Sequence, residues 1–188
     1  TLDLNMGLTQ VLSDGTNAYL YGNSRISQHN LTPDTGTPEY FIGDALGSVR
    51  QLVDPAGVVT LSQSYAPYGD TLNSVGVGSS VYQFTGEAHD ATGLTYLRAR
   101  YLDSSVGRFF SRDKWGGNIQ SPLSMNKYLY TMGNPIVYTD PSGLYTQRQI
   151  KRIFGVSTYD EVLSKFNHGP LEGQWGFLWI LHKANNNN

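Results

Sequence analysis

Alternating polar and apolar residues, interrupted by turn-forming residues, run through most of residues 1–144. Successive side chains of a strand point to opposite faces, so this alternation favours half-buried β-strands. Gly, Pro, Asn and Asp break the pattern about every 8 to 15 residues, as expected of antiparallel hairpins. We therefore predict a mainly β fold. The alternating runs lie at residues 16–21, 40–42, 48–53, 58–65, 81–84 and 95–101.

Two stretches of the chain share one order of elements, which is Asp-x-x-Gly, an apolar strand, Tyr and a second Gly turn. The first begins with DPAG at residues 54–57 and ends with SYAPYG at 64–69. The second begins with DATG at 90–93 and continues through LTYLRARY at 94–101. A repeat of about 20 residues indicates an array whose units cannot bury their apolar faces alone.

The pattern changes after Leu144. Residues 145–154 (YTQRQIKRIF) are compatible with a helix, and a capping-box pattern precedes a second helical stretch at 161–166. The apolar run at 177–181 is far too short to span a bilayer. We therefore expect a boundary at about residue 144, followed by a short helical segment at 145–188 and no direct membrane span.

Composition points to one part of a larger assembly. Charged residues make up only 15% of the chain, against roughly 25% in an ordinary soluble domain, so we expect more protein to cover its surface. The net charge of −2 lacks the basic footprint of nucleic-acid binding. There are no cysteines, and the four histidines are scattered, so we expect neither a metal site nor a cofactor. The chain opens inside an alternating run without Met, as expected of a fragment.

Six motifs in order and spacing resemble the Rhs repeat-associated core domain of YD-repeat proteins. The resemblance covers roughly residues 15–144. Each motif alone is weak, and their order carries the resemblance. They are YFIGDALGSVR at 40–50, FTGE at 84–87 with TGLTYLRARY at 92–101, GRFFSRD at 107–113, NKYLY at 126–130, NP at 134–135, and DPSGL at 140–144.

The resemblance implies a fold and a role. In this family YD repeats form a hollow antiparallel β-spiral, or shell, and a core domain curls inward to plug one end. By this likeness residues 1–83 are shell strands, 84–144 are the core-domain plug, and 145–188 begin the variable C-terminal segment, often a toxin. The expected partners are the upstream shell of the same polypeptide, the enclosed segment as cargo, and secretion or toxin-complex subunits. The expected location is secreted or at a bacterial cell surface.

The resemblance also implies a self-cleavage site. Many family members cut their own chain after the Leu of the Asp-Pro-x-Gly-Leu motif, so the scissile bond here would join Leu144 and Tyr145. Asp113 and Asp140 match the catalytic aspartates, and Arg100 matches the family arginine. Such hydrolysis needs two carboxyl groups that share a proton, one as base on water and one as acid. The implied activity is a single-turnover aspartic-type endopeptidase.

Each site residue also has a structural interpretation. Asp140 begins a sequence suited to a β-turn on any fold, Asp113 suits the end of a surface strand, and Arg100 suits an ion pair. The family commonly has Pro after the first aspartate, whereas this chain has Lys114. A nearby ammonium favours the ionised form of Asp113.

Two other functions remain open at this point. One is a non-enzymatic, cell-surface or adhesive YD-repeat shell, wall-associated or teneurin-like, with a purely structural plug. The other is that residues 145–188 begin a toxin with its own activity, although these residues show no recognisable toxin motif.

Overall fold

The computed structural model describes residues 2–3, 10–22, 24–31, 36–114, 116–117, 119–120 and 122–144. This part of the chain is mainly β, as predicted, and its helical elements are three short 3₁₀ turns. The predicted helical segment at 145–188 lies outside the described residues. The strands are β1 (Leu2–Asp3), β2 (Gln10–Val11), β3 (Asn17–Tyr21), β4 (Arg25–Asn30), β5 (Glu39–Gly43), β6 (Val49–Val53), β7 (Val59–Tyr65), β8 (Thr71–Gly76), β9 (Ala88–His89), β10 (Leu94–Leu97), β11 (Arg100–Asp103) and β12 (Arg108–Phe109).

Strands β3 to β8 form one six-stranded antiparallel sheet in which chain neighbours are also sheet neighbours. Such a meander follows from tight turns, because a short loop returns the chain beside the strand it has just left. One core lies on this sheet and gains Tyr82 from the segment that follows it. Its buried residues are Tyr19, Val49, Leu52, Leu61 and Tyr82.

Strands β9 to β12 form a second antiparallel sheet in the order β12-β11-β10-β9. Alternation along β10 buries Thr95 and Leu97, while Tyr96 faces outward beside its cross-strand partner Tyr101 with ring centroids 5.0 Å apart. The inward side chains pack in a second core with residues from outside the sheet. The buried members of this core are Phe84, Leu97, Leu102, Phe109 and Tyr130.

Two predicted strands differ in the structure. The run at 95–101 is not one strand, because residues 98 and 99 form a two-residue loop between β10 and β11. Arg98 takes a φ of +58°, which lets the chain reverse without a glycine. The run at 81–84 makes only an isolated bridge at Tyr82 and then enters a 3₁₀ turn, Phe84–Gly86, in which Thr85 has a φ of +52°. Strands β4 and β8 are not among the runs that the sequence predicts.

The segment between the sheets ties them together. The Val49 amide donates a hydrogen bond to the Gln83 carbonyl at 2.9 Å, and the Thr85 amide donates to Ser48 Oγ at 3.0 Å. The two sheets therefore share a hydrogen-bonded connection at the start of β6. The division into domains at 1–83 and 84–144 stays a prediction.

Strand β8 makes the isolated chain prone to association. Within the described residues β8 pairs only with β7, and Leu72 and Val75 are mostly exposed along it. An unpaired, apolar strand edge is a template for another chain. We expect the isolated 188-residue chain to elute from a sizing column as oligomers, and Val75→Lys to shift it towards the monomer. A monodisperse monomer of the unmodified chain would contradict this prediction.

Gly76 is needed at the end of β8. It has a φ of +120°, and an added Cβ would overlap the Thr60 carbonyl oxygen. Gly57 is the matched control, since its φ is +82° but no atom lies within 4 Å of an added Cβ. Gly57→Ala should cost about 1 kcal/mol from backbone strain alone, and Gly76→Ala should cost more. Limited proteolysis of the full-length parent should show faster cutting within residues 71–78 for Gly76→Ala only, and equal rates in both variants would refute this account.

Candidate active site

The side chain of Arg100 is buried. Alternation along β11 places Arg100 on the same face as Leu102, and only 6% of its surface is exposed. Its Cζ atom lies 3.5 Å from the centre of the Phe109 ring, an arrangement in which the ring quadrupole attracts the cation. A buried charge is costly unless it is paired and hydrogen-bonded, so the partners of Arg100 define this part of the structure.

Two carboxylates and two carbonyls surround the guanidinium. Nη2 of Arg100 lies 3.0 Å from Oδ2 of Asp113 and 3.7 Å from Oδ2 of Asp140. Nε donates to the Gly143 carbonyl, and Nη1 donates to the Lys127 carbonyl at 3.3 Å. All three guanidinium nitrogens are therefore engaged, and the two acidic side chains meet at one of them.

Asp113 is held at the site by its backbone. It follows β12, and its amide donates to the Lys127 carbonyl at 2.9 Å. The same carbonyl accepts a hydrogen bond from Arg100, so one peptide group positions both members of the ion pair. The next residue, Lys114, is exposed, whereas the Asp113 side chain is largely buried.

Asp140 begins a tight turn that the chain uses repeatedly. The Gly143 amide donates to the Asp140 carbonyl at 3.2 Å, and Oδ1 accepts hydrogen bonds from the Leu144 amide and Ser142 Oγ, both at 3.1 Å. Gly143 has a φ of +69°, which a glycine adopts at little cost. The same side-chain contact to the residue four positions on occurs at Asp44, Asp54 and Asp90.

Burial distinguishes Asp140 from the other three turn aspartates. It is 3% exposed, whereas Asp44, Asp54 and Asp90 are partly or fully exposed. Its Oδ1 atom serves the turn, and its Oδ2 atom faces Arg100. Burial raises the pKa of Asp140 to about 6, the charge of Asp113 acts in the same direction, and the Arg100 charge opposes both. A carboxyl group with a pKa near 6 can hold a proton close to neutral pH.

A small cavity lies between the two carboxylates and Leu144. It has about 30 Å³ of space open to the centre of a water molecule, and roughly 10 to 15 Å³ suffices for one ordered water. Both polar and apolar side chains line it. The lining residues are Arg100, Asp113, Leu123, Ser124, Asn126, Leu129, Thr131, Met132, Asp140 and Leu144.

The predicted site residues Arg100, Asp113 and Asp140 therefore come together, with Leu144 at the same cavity. Tyr145, the residue predicted on the other side of the scissile bond, lies outside the described residues. Sequence reasoning missed Arg98, which contacts the Asp140 turn, because it placed residues 98 and 99 within a continuous strand. The geometry does not test the catalytic role of these residues, and that role stays a prediction.

The described residues contain no group of three or more His, Asp or Glu side chains placed to hold a metal ion. Within the same ranges, no helix has the length and apolarity needed to cross a membrane.

Comparison with known proteins identifies relatives of this chain by sequence. No family model matches the chain. It is 30% identical over 149 residues to the tRNA3(Ser)-specific nuclease WapA of Bacillus spizizenii, which covers 77% of this chain but 6% of that protein. It is 33% identical over 110 residues to toxin subunit YenC1 of Yersinia entomophaga, covering 56% of this chain and 11% of the subunit. It is 34% identical over 111 residues to double-stranded DNA deaminase toxin A of Burkholderia cenocepacia, covering 56% and 7%.

Two solved structures resemble this chain in fold. The TcdB2-TccC3-TEV crystal structure matches with a TM-score of 0.59 and 25% identity over 72% of this chain and 7% of that one. The Photorhabdus luminescens Tc holotoxin pore matches with a TM-score of 0.57 and 24% identity over 73% of this chain, which supports the fold alone. The chain spans about a tenth or less of the length of these proteins. It is a mainly β relative of the Rhs-type toxin proteins.

Proposed function

We propose that this chain is the C-terminal part of an Rhs-type shell that encloses the segment beginning at Tyr145 and frees it by cutting its own backbone after Leu144. The observation that carries the proposal is the meeting of Asp113 and Asp140 at Arg100, beside a water-sized cavity that Leu144 lines. Two carboxyl groups beside this cavity, of which burial raises the pKa of Asp140, can supply the acid and the base that peptide hydrolysis needs.

The reaction assigns a different role to each carboxyl group. Asp113, paired with the Arg100 guanidinium at 3.0 Å, takes a proton from the attacking water. Protonated Asp140 polarises the Leu144 carbonyl oxygen, and the water oxygen bonds to the carbonyl carbon. The tetrahedral intermediate then loses the nitrogen of Tyr145, which receives from Asp113 the proton taken from the water. One hydroxyl proton of the intermediate returns to Asp140 as the carbonyl forms again. The products are a Leu144 carboxylate and the amino group of Tyr145, and one water is consumed.

Covalent proximity favours this reaction. Leu144 lies four residues after Asp140, and its amide is already hydrogen-bonded to Oδ1 of that residue. A reacting group held in the same chain has a very high effective concentration. A site of moderate efficiency is therefore sufficient for one turnover per molecule.

The relatives support a carrier role. Their names differ and describe a tRNA nuclease, a DNA deaminase toxin and a toxin subunit, yet each matches half or more of this chain. A segment that proteins of different activity have in common is better suited to carry the toxic segment than to have the toxic activity itself. This reasoning favours a cargo beginning at residue 145, an upstream shell and toxin-complex subunits as partners, and an extracellular bacterial location.

A structural plug is the second candidate, and one observation favours it. The Asp140 turn uses the same side-chain contact as the turns at Asp44, Asp54 and Asp90, none of which makes a carboxylate contact to Arg100 in the described residues. On this interpretation the ion pairs of Arg100 only stabilise the plug of an adhesive or surface shell. Direct detection of cleavage separates the two candidates.

We predict that the full-length parent splits between Leu144 and Tyr145 and that Asp140→Asn stays whole. Asn retains an Oδ1 acceptor for the Leu144 amide, so the turn survives, but its amide cannot supply the acid. Asp54→Asn is the matched control, because Asp54 begins the same Asp-Pro-x-Gly turn elsewhere and should leave cleavage unchanged. Intact-mass spectrometry measures whether the wild type and each of the two variants are cleaved. An uncut wild type would favour the structural plug, and a cut Asp140→Asn would refute Asp140 as the acid.

The cleavage rate should also depend on pH. The acid is available only while Asp140 is protonated, and burial raises the pKa of that group to about 6. Above pH 6 the rate should therefore fall, approaching about tenfold per pH unit as the protonated fraction declines. Newly synthesised, pulse-labelled parent diluted into buffers between about pH 5.5 and 8.5 gives the rate by gel electrophoresis. A rate that is flat or increases above pH 6 would be inconsistent with Asp140 as the acid.

A further inference from the structure

The loop between β10 and β11 holds the backbone directly ahead of Leu144. Arg98 Nη1 donates to the Pro141 carbonyl at 2.6 Å, and the Ala99 amide donates to the Ser142 carbonyl at 3.3 Å. The next donor along the loop is Arg100 Nε, which reaches the Gly143 carbonyl. Three successive residues, 98–100, thus bind three successive carbonyls, 141–143. The contacts join positions about 43 residues apart in the chain.

Arg98 is held in place by an acidic partner and by an unusual backbone. Its φ of +58° is costly for a residue with a side chain. The same Nη1 atom lies 2.6 Å from Oε1 of Glu87, which is largely buried. Burial raises the pKa of Glu87, and the Arg98 charge opposes that effect. The ion pair therefore directs the Arg98 guanidinium at the Pro141 carbonyl.

Gly143 completes the fit between loop and turn. An added Cβ at this position would overlap the Leu97 carbonyl oxygen and lie 3.0 Å from the Arg100 amide nitrogen. The loop therefore contacts residue 143 closely through backbone alone. The contacts at 141 and 142 are also to carbonyls, which every residue type carries.

We propose that residues 98–100 form a cradle that holds the chain for cleavage, with Arg98 as a positioning residue; this inference rests on the proposed self-cleavage. The cradle binds the carbonyls of the residues four, three and two positions ahead of the scissile bond. It selects its substrate by backbone geometry and by the requirement for glycine at residue 143. Arg98 acts through the turn, because its two described polar contacts are to Glu87 and Pro141.

The cradle also explains a single turnover. Its contacts all lie on the N-terminal side of the scissile bond, so breaking that bond leaves them in place. The new Leu144 carboxylate then stays beside Asp140 and blocks entry of another peptide. A cleaved parent should accordingly leave an added peptide of residues 138–150 intact.

Arg98 variants of the full-length parent test the cradle. Arg98→Ala should slow cleavage of pulse-labelled protein by up to roughly 10²-fold, because a misplaced reacting group loses most of its proximity advantage. Arg98→Lys, which keeps a cationic donor, should recover part of the rate. The alkaline limb of the pH profile should stay where it is in the wild type, because Arg98 only positions the chain. Arg108→Ala is the matched control, an exposed arginine on β12 whose loss should leave the rate unchanged.

The possible outcomes separate this inference from the function on which it rests. Arg98→Ala cleaving at the wild-type rate, or with a shifted pH profile, overturns the cradle while leaving self-cleavage intact. A wild type that stays whole, or an Asp140→Asn variant that is cut, refutes the proposed mechanism and the cradle together. If Arg98→Ala is degraded, Arg98→Ala combined with Glu87→Gln leaves no buried carboxylate unpaired. That double variant must still cleave slowly, and a wild-type rate in it overturns the cradle.

Discussion

The buried guanidinium of Arg100 is the interaction on which the end of the described chain depends. A charge inside a small apolar core is tolerated only where acceptors surround it. Here the acceptors come from three separate segments, around Asp113, Lys127 and residues 140–143. Removing one partner of a buried ion pair typically costs about 3 to 5 kcal/mol. The same interaction therefore gathers these segments and brings two carboxylates to one nitrogen.

The site is built from a turn that has structural uses elsewhere. At Asp44, Asp54 and Asp90 the side chain closes an Asp-x-x-Gly turn at or near the surface. At Asp140 the same closure is buried beside Arg100, and burial raises the pKa of the carboxyl group to about 6. The surroundings of Asp140, and not the turn itself, therefore raise the pKa of its carboxyl group. The chemistry proposed for Asp140 thus requires no local structure beyond that of the other three turns.

Structural and catalytic interpretations of these residues are compatible. Oδ1 of Asp140 binds the turn, while Oδ2 faces Arg100 and Asp113. Arg100 likewise packs on Phe109 and binds the Gly143 carbonyl with different atoms from the one that contacts the carboxylates. One side chain can therefore stabilise the local fold and also take part in the proposed reaction. This division of atoms explains why residue types and turn propensities alone could not decide between the two roles.

Strand alternation and turn residues determined the mainly β class, most of the long strands of the first sheet and the Asp-x-x-Gly turns, because these features depend on neighbours in the chain. The order of six motifs also indicated Arg100, Asp113 and Asp140 as a group. Only the tertiary structure decided that residues 98 and 99 reverse the chain, that Asp140 is buried, and that residues 98–100 hold the carbonyls of 141–143. The reason is physical: Arg98 keeps its positive φ because Glu87 and Pro141 bind its side chain, and Pro141 lies 43 residues away. No local pattern records contacts across that separation.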